Sequence, residues 1–341
     1  MLSRRHAILA LALTTAAVTA GCHGTAQAKS GARKWLSETG ATFSVKDGDL
    51  PANLSLVVYG DTRFTHPEDV VDTNPVARRA LVAKIAEEHP DALVMTGDVP
   101  FRGRDLFDYQ EFAAETAAWR TEHLRVYPVL GNHELSGTGF QDPLQNWWSA
   151  FPELKNRRWY SVALGSRVRI LALDSNSPLT PGSPERSWLD DQIAHLPPTV
   201  DFVFIAMHHP AVADIQTRVH VDHNPRPNEI SLRDDLAGIA PRAHAQFIVA
   251  CGHIHNYERF SQDGVTYLVS GGGGARPHDI DRTPPDQYQS KDFPVFHYIV
   301  FHLDGQELHA TMEKLTMPIG PDPAWRAADT FTITAKSPAN P

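Results

Sequence analysis

Cysteine is nearly absent from this chain: 341 residues contain two, Cys22 and Cys251. Cys22 falls in an N-terminal stretch with the marks of a targeting segment. The rest of the chain keeps one thiol, so no disulfide framework holds it together. Positive charge is also scarce. Lys and Arg number 31 against 40 Asp and Glu, a formal net charge of −9. A general nucleic-acid binder would need a basic surface to neutralise phosphates, so that class is excluded. The apolar stretch from Ala7 to Ala20 is too short for a stable membrane-spanning helix, which takes about 20 residues. There is no Gly-x-Ser-x-Gly, and no catalytic motif surrounds Cys251, which leaves serine and cysteine hydrolase chemistry without support. The glycine run Gly271–Gly274 is followed by neither Lys-Ser/Thr nor a helical pattern. It reads as a close-packed turn and not as a nucleotide-binding loop.

What remains is an ordinary globular composition, 42% hydrophobic and 21% charged, long enough for one large domain or two small ones. The chain opens with an export signal over 1–28. Arg4 and Arg5 form its positive start, Ala7 to Ala20 its apolar centre, and Ala26-Gln27-Ala28 a small-x-small cleavage context. Thr19-Ala20-Gly21-Cys22 resembles a bacterial lipoprotein box, and Ser3-Arg4-Arg5 a twin-arginine signal. The expectation is an exported protein: periplasmic, anchored to the membrane through a lipid on Cys22, or secreted. Residues 29–50 are polar, without apolar periodicity, and read as a spacer.

From there, apolar strands alternate with helical patterns. Leu54 to Tyr59, Ala92 to Met95 and Val126 to Leu130 read as strands, with helices over Pro75 to His89 and Phe107 to Trp119 between them. Such units imply parallel strands with crossover helices. Residues 159–173 read as a hairpin turning at Gly165-Ser166, and Trp188 to Leu196 as a short helix. Phe202 to Met207, Gln246 to Ala250 and Thr266 to Val269 are further strands. Phe296 to Phe301 and Leu308 to Met312 form a closing antiparallel pair. One domain over 51–315 and a tail over 316–341 follow, with Thr330 to Thr334 a candidate last edge strand.

Metal-competent residues stand where these strands end: Asp61, Asp98, Asn132, His208, then His253 and His255. In open α/β sheets the ligand crevice lies beyond the carboxyl ends of the strands, so residues spread over nearly two hundred positions converge on one rim. Carboxylate, amide and imidazole together suit borderline metals such as Zn, Mn or Fe and not Ca.

In this order, Gly60-Asp61, Gly97-Asp98, Gly131-Asn132-His133-Glu134, His208 and Gly252-His253-Ile254-His255 strongly resemble the calcineurin-like metallophosphoesterase superfamily. That group includes the purple acid phosphatases and cyclic-nucleotide phosphodiesterases. The resemblance runs from about residue 53 to residue 274. It implies an α/β fold, a four-layer α-β-β-α sandwich of two mixed sheets, with two divalent or trivalent ions ~3.5–4 Å apart at the strand ends. Asp98 would bridge the ions, Asp61 and His255 would hold the first, and Asn132, His208 and His253 the second. A bridging hydroxide would attack the phosphorus of a small phosphorylated substrate, monoester or diester. His133 would assist the leaving oxygen or bind the phosphate.

One position departs from that pattern. The superfamily usually carries Asp-x-His in the first motif, and here the residues are Asp61-Thr62-Arg63. Arginine has no lone pair for a metal. Purple acid phosphatases place a Tyr three residues after the bridging Asp, a position held here by Phe101. The first ion therefore lacks an obvious fourth protein ligand. Water, His66 or Tyr109 could supply it, or Arg63 could substitute its own charge and grip the phosphate. An enzyme with Arg63 facing the substrate is the favoured expectation. A metal- and phosphate-binding pseudoenzyme is its rival. Among the neighbours, His209 reads as a residue backing the ligands or a structural one, not a ligand itself, Glu134 as the residue fixing the Asn132–His133 turn, and Trp147-Trp148 as core and its edge. The polar stretch 214–229, with His220, His223 and Arg226, is either plain surface or a substrate-shaping loop.

Overall fold

The computed structural model describes residues 40–138, 142–216 and 223–336. The export signal with Cys22, the first part of the spacer and His220 lie outside the described residues. Strands β2 (Ser55–Tyr59), β3 (Ala92–Met95) and β4 (Val126–Pro128) run parallel, as the strand–helix alternation predicts. The connections carry α1 (Pro75–Glu87), then α2 (Leu106–Glu115) and α3 (Ala117–Thr121). The Asn74 side chain accepts from the Ala77 N–H, and Pro75 supplies a first turn that needs no N–H of its own. The single helix expected over 107–119 is broken at Thr116. Its hydroxyl donates to the Phe112 carbonyl at 2.5 Å and its backbone leaves helical angles.

These strands belong to a six-stranded sheet completed by β13 (His297–Asp304), β14 (Glu307–Leu315) and β15 (Trp325–Thr334), all antiparallel to their neighbours. A seven-stranded sheet is built from β1 (Phe43–Val45), β5 (Tyr160–Leu164), β6 (Val168–Ala172), β7 (Phe202–Ala206), β9 (Gln246–Cys251), β10 (Tyr257–Gln262) and β11 (Val265–Ser270). A small separate ribbon pairs β8 (Ile215–Gln216) with β12 (Ile280–Asp281).

Side-chain alternation along β7 shows how the layers stack. Phe202, Phe204 and Ala206 join the core between the sheets, where Phe204 meets Phe301 of β13 edge-on with ring centroids 5.1 Å apart. Val203 and Ile205 point the other way. They join a second core with Leu189 of α5 (Pro184–Ala194) and with Leu232 and Leu236 of α6 (Pro227–Ile239). Both faces of this sheet are therefore buried, which is why its strands read as continuous apolar runs. Helix, sheet, sheet, helix is the four-layer order expected. Cys251 sits in the second core, where burial pushes its thiol up.

Two boundaries need correction. The expected spacer includes β1, which pairs in parallel with β5 from Phe43 to Val45 and is too short to show a period. The expected tail includes β15, which spans more than the Thr330–Thr334 segment and pairs along β14. Its register shifts between Met312 and Glu313, leaving Ala328 unmatched, so a period-2 pattern cannot run through it. Helix α6 and α4 (Pro143–Ala150) also went unread in the sequence. Within α4, Trp147 is buried in the core and Trp148 lies at its edge, donating to the Arg157 carbonyl.

Candidate metal centre

Every expected metal ligand sits just past a strand end: Asp61 after β2, Asp98 after β3, Asn132 after β4, His208 after β7, His253 and His255 after β9. The first group comes from one sheet and the histidines from the other. The rim is cross-linked by backbone. Asp61 N–H donates to the Gly97 carbonyl and Arg63 N–H to the Asp98 carbonyl, while His253 N–H donates to both Asp61 oxygens at 3.1 and 2.9 Å. Asp61, Arg63, Asp98 and His253 all hold positive φ, 57°, 46°, 52° and 70°. Strained backbone of this kind persists where the surroundings over-determine it, and it gathers at functional sites. Glycine is required at two places. A Cβ on Gly131 would lie 2.3 Å from Asp98 Oδ1, and one on Gly252 would lie 2.3 Å from Asp61 Oδ2.

The donor set fits a cation. His208 Nδ1 lies 2.9 Å from the Thr96 carbonyl, so its N–H points there and Nε2 turns a lone pair inward. That nitrogen is 3.0 Å from Asn132 Oδ1, 3.2 Å from Asp98 Oδ1 and 3.1 Å from His253 Nδ1, which is itself 3.1 Å from Asn132 Oδ1. A single N–H can satisfy only part of this group, whereas one cation satisfies all of it. His255 repeats the pattern. Its Nδ1 donates to the Arg276 carbonyl at 2.6 Å, leaving buried Nε2 without a hydrogen-bond partner among the described residues, 3.4 Å from Asp61 Oδ1. Burial, then the neighbouring His208, holds His253 well below the usual histidine range. Burial and the Arg63 charge do the same for His255. Both rings are thus neutral ligands-in-waiting. Burial also pushes Asp61 up to about 8. At Asp98 burial is outweighed by His208, His133 and Arg63, so its carboxyl stays below the usual range. Two adjacent buried acids that cannot both ionise unaided call for a positive counter-charge.

Arg63 brings its guanidinium 3.5 Å from Asp98 Oδ2, with the Phe101 ring 5.8 Å from its centre. His66 stacks on Phe107 at 3.9 Å and its side chain is 43% exposed, so it faces outward and supplies no ligand. Tyr109 lines a separate, mainly apolar cavity of about 820 Å³ with Phe112, Trp119 and Phe151. His133 Nδ1 lies 2.5 Å from the Phe101 carbonyl and its Nε2 lies 3.9 Å from Asp98 Oδ2. With Nδ1–H spent on that carbonyl, Nε2 is the atom left to meet a ligand.

Glu134 performs the structural task expected of it. Its carboxylate accepts from Gly131 N–H at 2.7 Å, Val99 N–H at 2.8 Å and Asp98 N–H at 3.0 Å, tying two ligand-bearing turns together. Burial and the Asp98 charge push it up to about 8, although its three N–H donors favour the ionised form. Glu134→Ala should leave those donors unsatisfied, at about 1–3 kcal/mol each. We expect a lower denaturant midpoint and loss of metal; an unchanged midpoint would show that the turns hold themselves.

Further residues stand around the rim, and of these His278 carried no sequence signal. His278 stacks on His255 at 4.0 Å, and its Nδ1 accepts the His255 N–H at 3.2 Å. His223 packs on both His253 and His278, which resolves the 214–229 stretch in favour of a segment that reaches the site. Arg226 instead pairs with Glu229 and the Ser175 carbonyl. His209 stands beside the ligand candidates His208 and His253. Its Nδ1 lies 2.7 Å from Ser175 Oγ, yet it offers a ligand atom within 4.8 Å of those of His208 and His253.

A two-sheet sandwich with carboxylates, an amide and imidazoles converging beyond its strand ends is the architecture of a metallophosphoesterase. Residues 54–257 match the calcineurin-like phosphoesterase family, well over half the chain, and the chain belongs to that family. Solved structures share the fold. A purple acid phosphatase from yellow lupin (Lupinus luteus) superposes with a TM-score of 0.66 at 15% identity, covering 87% of this chain and 56% of that one. This chain thus spans little more than half the lupin protein. A dimetal phosphatase from Danio rerio gives 0.55 at 13% identity, covering 83% and 99%. An anchor of the inner membrane complex of Plasmodium gives 0.51 at 14% identity, covering 84% and 90%. At such identities the likeness is one of fold. No curated protein sequence matches the chain.

Proposed function

We propose that this protein hydrolyses small phosphoesters with the help of two metal ions. The carrying observation is the inward cluster of candidate donor atoms, His208 Nε2, Asn132 Oδ1 and His253 Nδ1, beside Asp98. Asn132, His208, His253 and Asp98 would hold one ion, and Asp61, His255 and Asp98 the other, with Fe, Zn or Mn suited to the donors. Bound ions would acidify water and neutralise phosphate charge. The chain's own residues do the rest. Arg63 offers planar N–H donors to phosphate oxygens. His133 presents Nε2 to the leaving oxygen with its ring fixed by the Phe101 carbonyl. His278, with Nδ1 occupied, carries its proton on Nε2 as a donor. The acidic net charge is no obstacle, because local charge at the rim would come from the ions. Export by the 1–28 signal, with Cys22 as a lipid anchor or cleaved away, belongs to the same proposal.

The test is metal analysis of purified protein beside hydrolysis of an aryl phosphate monoester and its diester, with and without chelator. We expect chelator-sensitive turnover of at least one ester. One observation favours a second reading. Arg63 stands where a ligand is expected, and a fold shared with a Plasmodium anchor does not guarantee catalysis. A binding protein of that kind would hold about one ion and hydrolyse neither ester under any metal supplement.

A further inference from the structure

The two oxygens of Asp98 are engaged differently. Oδ1 accepts the His133 backbone N–H at 2.9 Å and lies 3.2 Å from His208 Nε2, on the side of Asn132 and His253. Oδ2 lies 3.5 Å from Arg63. If the bridging carboxylate gives one oxygen to each ion, Oδ2 is the oxygen left for an ion held by Asp61 and His255. Arg63 already stands at that oxygen. Its backbone is pinned at both ends, by its N–H to the Asp98 carbonyl and by Arg78 Nη1 donating to its own carbonyl at 3.1 Å. Its side chain is 15% exposed, and buried Nε has no hydrogen-bond partner among the described residues. A guanidinium stays charged and offers no lone pair. An ion beside Asp61 and His255 would therefore compete with Arg63 for Oδ2 and repel it at short range. An oxyanion placed between them ends the conflict, because it accepts two N–H bonds from Arg63 and faces the ion with negative charge.

We propose that Arg63 makes the two metal positions unequal and couples the weaker one to phosphate. The Asp98–Asn132–His208–His253 position fills unaided. The Asp61–His255 position takes its ion only when a phosphate-type oxyanion draws Arg63 away from Asp98 Oδ2. This rests on the reading of the rim as a phosphoester-binding metal centre. Linkage is reciprocal, so the second ion tightens phosphate by the factor that phosphate tightens the ion.

Equilibrium dialysis of the full protein against Mn²⁺, with and without inorganic phosphate, reads the coupling without any turnover. We expect one ion without phosphate and two with it, phosphate tightening the second ion by about 5- to 150-fold. Arg63→His should bind two ions with or without phosphate, because it removes the competing charge and restores a donor. Arg63→Ala should lose the phosphate dependence without gaining that donor. Circular dichroism and melting should show both variants folded, since the backbone bonds of residue 63 are untouched. Two equal ions in the wild type without phosphate would overturn the proposal and leave the hydrolase reading standing. So would one ion regardless of phosphate, or a phosphate dependence that survives in Arg63→Ala. Absence of any bound ion in all conditions would instead sink the metal-centre reading itself.

Discussion

Replacing Asp98 with asparagine should reduce metal-dependent hydrolysis to background while the protein stays folded. Asparagine is the informative substitution because residue 98 holds φ 52°, a backbone region that Asn tolerates and alanine does not favour. The amide oxygen can still accept the His133 N–H that Asp98 Oδ1 accepts at 2.9 Å, so the His133 turn keeps its anchor. What disappears is the negative charge of a carboxylate whose two oxygens face different parts of the rim. Its Oδ1 lies 3.2 Å from His208, and its Oδ2 faces Arg63 and His133. A neutral amide can still offer an oxygen, as Asn132 does, but it brings no negative charge to hold two cations side by side. Metal content by mass spectrometry, read beside aryl phosphate turnover, decides the matter. Near-wild-type turnover with two ions retained would end the bridging assignment.

The His133 variant should separate chemistry from metal binding. We expect His133→Ala to lower turnover by ~10²–10⁴-fold, the range for a proton-transferring group, with metal content unchanged. The His133 ring is held by one bond from Nδ1 to the Phe101 carbonyl and stacks on the Phe101 ring at 5.4 Å, so its removal leaves the ligand atoms of Asn132, His208 and His253 in place. The variant should show its defect mainly in kcat, as befits a group that acts on the leaving oxygen. Loss of metal from it would mean that the ring props the Asn132 turn instead, and the catalytic role would fall.

The legibility of this rim in the sequence has a physical basis. Each ligand follows an apolar strand directly, and glycine precedes Asp61, Asp98, Asn132 and His253. A strand that ends in a tight turn leaves little freedom in where the next side chain goes, so order along the chain maps onto position at the sheet edge. The layers were legible for the same reason, since strands buried on both faces stand out as unbroken apolar runs. His278 lacked any such cue. It belongs to an irregular segment beyond Gly274 whose path back over His255 is set by contacts such as the His255 N–H to its Nδ1. Helix α6 was hidden because its Leu232 and Leu236 are separated by polar residues and follow a stretch that composition alone marks as loop. β15 is a half-exposed edge strand with a register shift, so neither alternation nor apolar content marks its ends.

Asp61, Asp98 and Asn132 hang from one sheet, and His208, His253 and His255 from the other. Elsewhere the two sheets adhere through side chains such as Phe204 and Phe301, whose grip does not depend on solutes in the surroundings. At the rim the join is of another kind: with the proposed ions bound, ligands from both sheets would form a clasp. The free energy of loading such a clasp adds directly to the resistance of the folded chain, about 2.7 kcal/mol when free ion stands at a hundred times its dissociation constant. With the proposed ions bound, the durability of this sandwich would depend not on its sequence alone but also on the supply of metal ion around it.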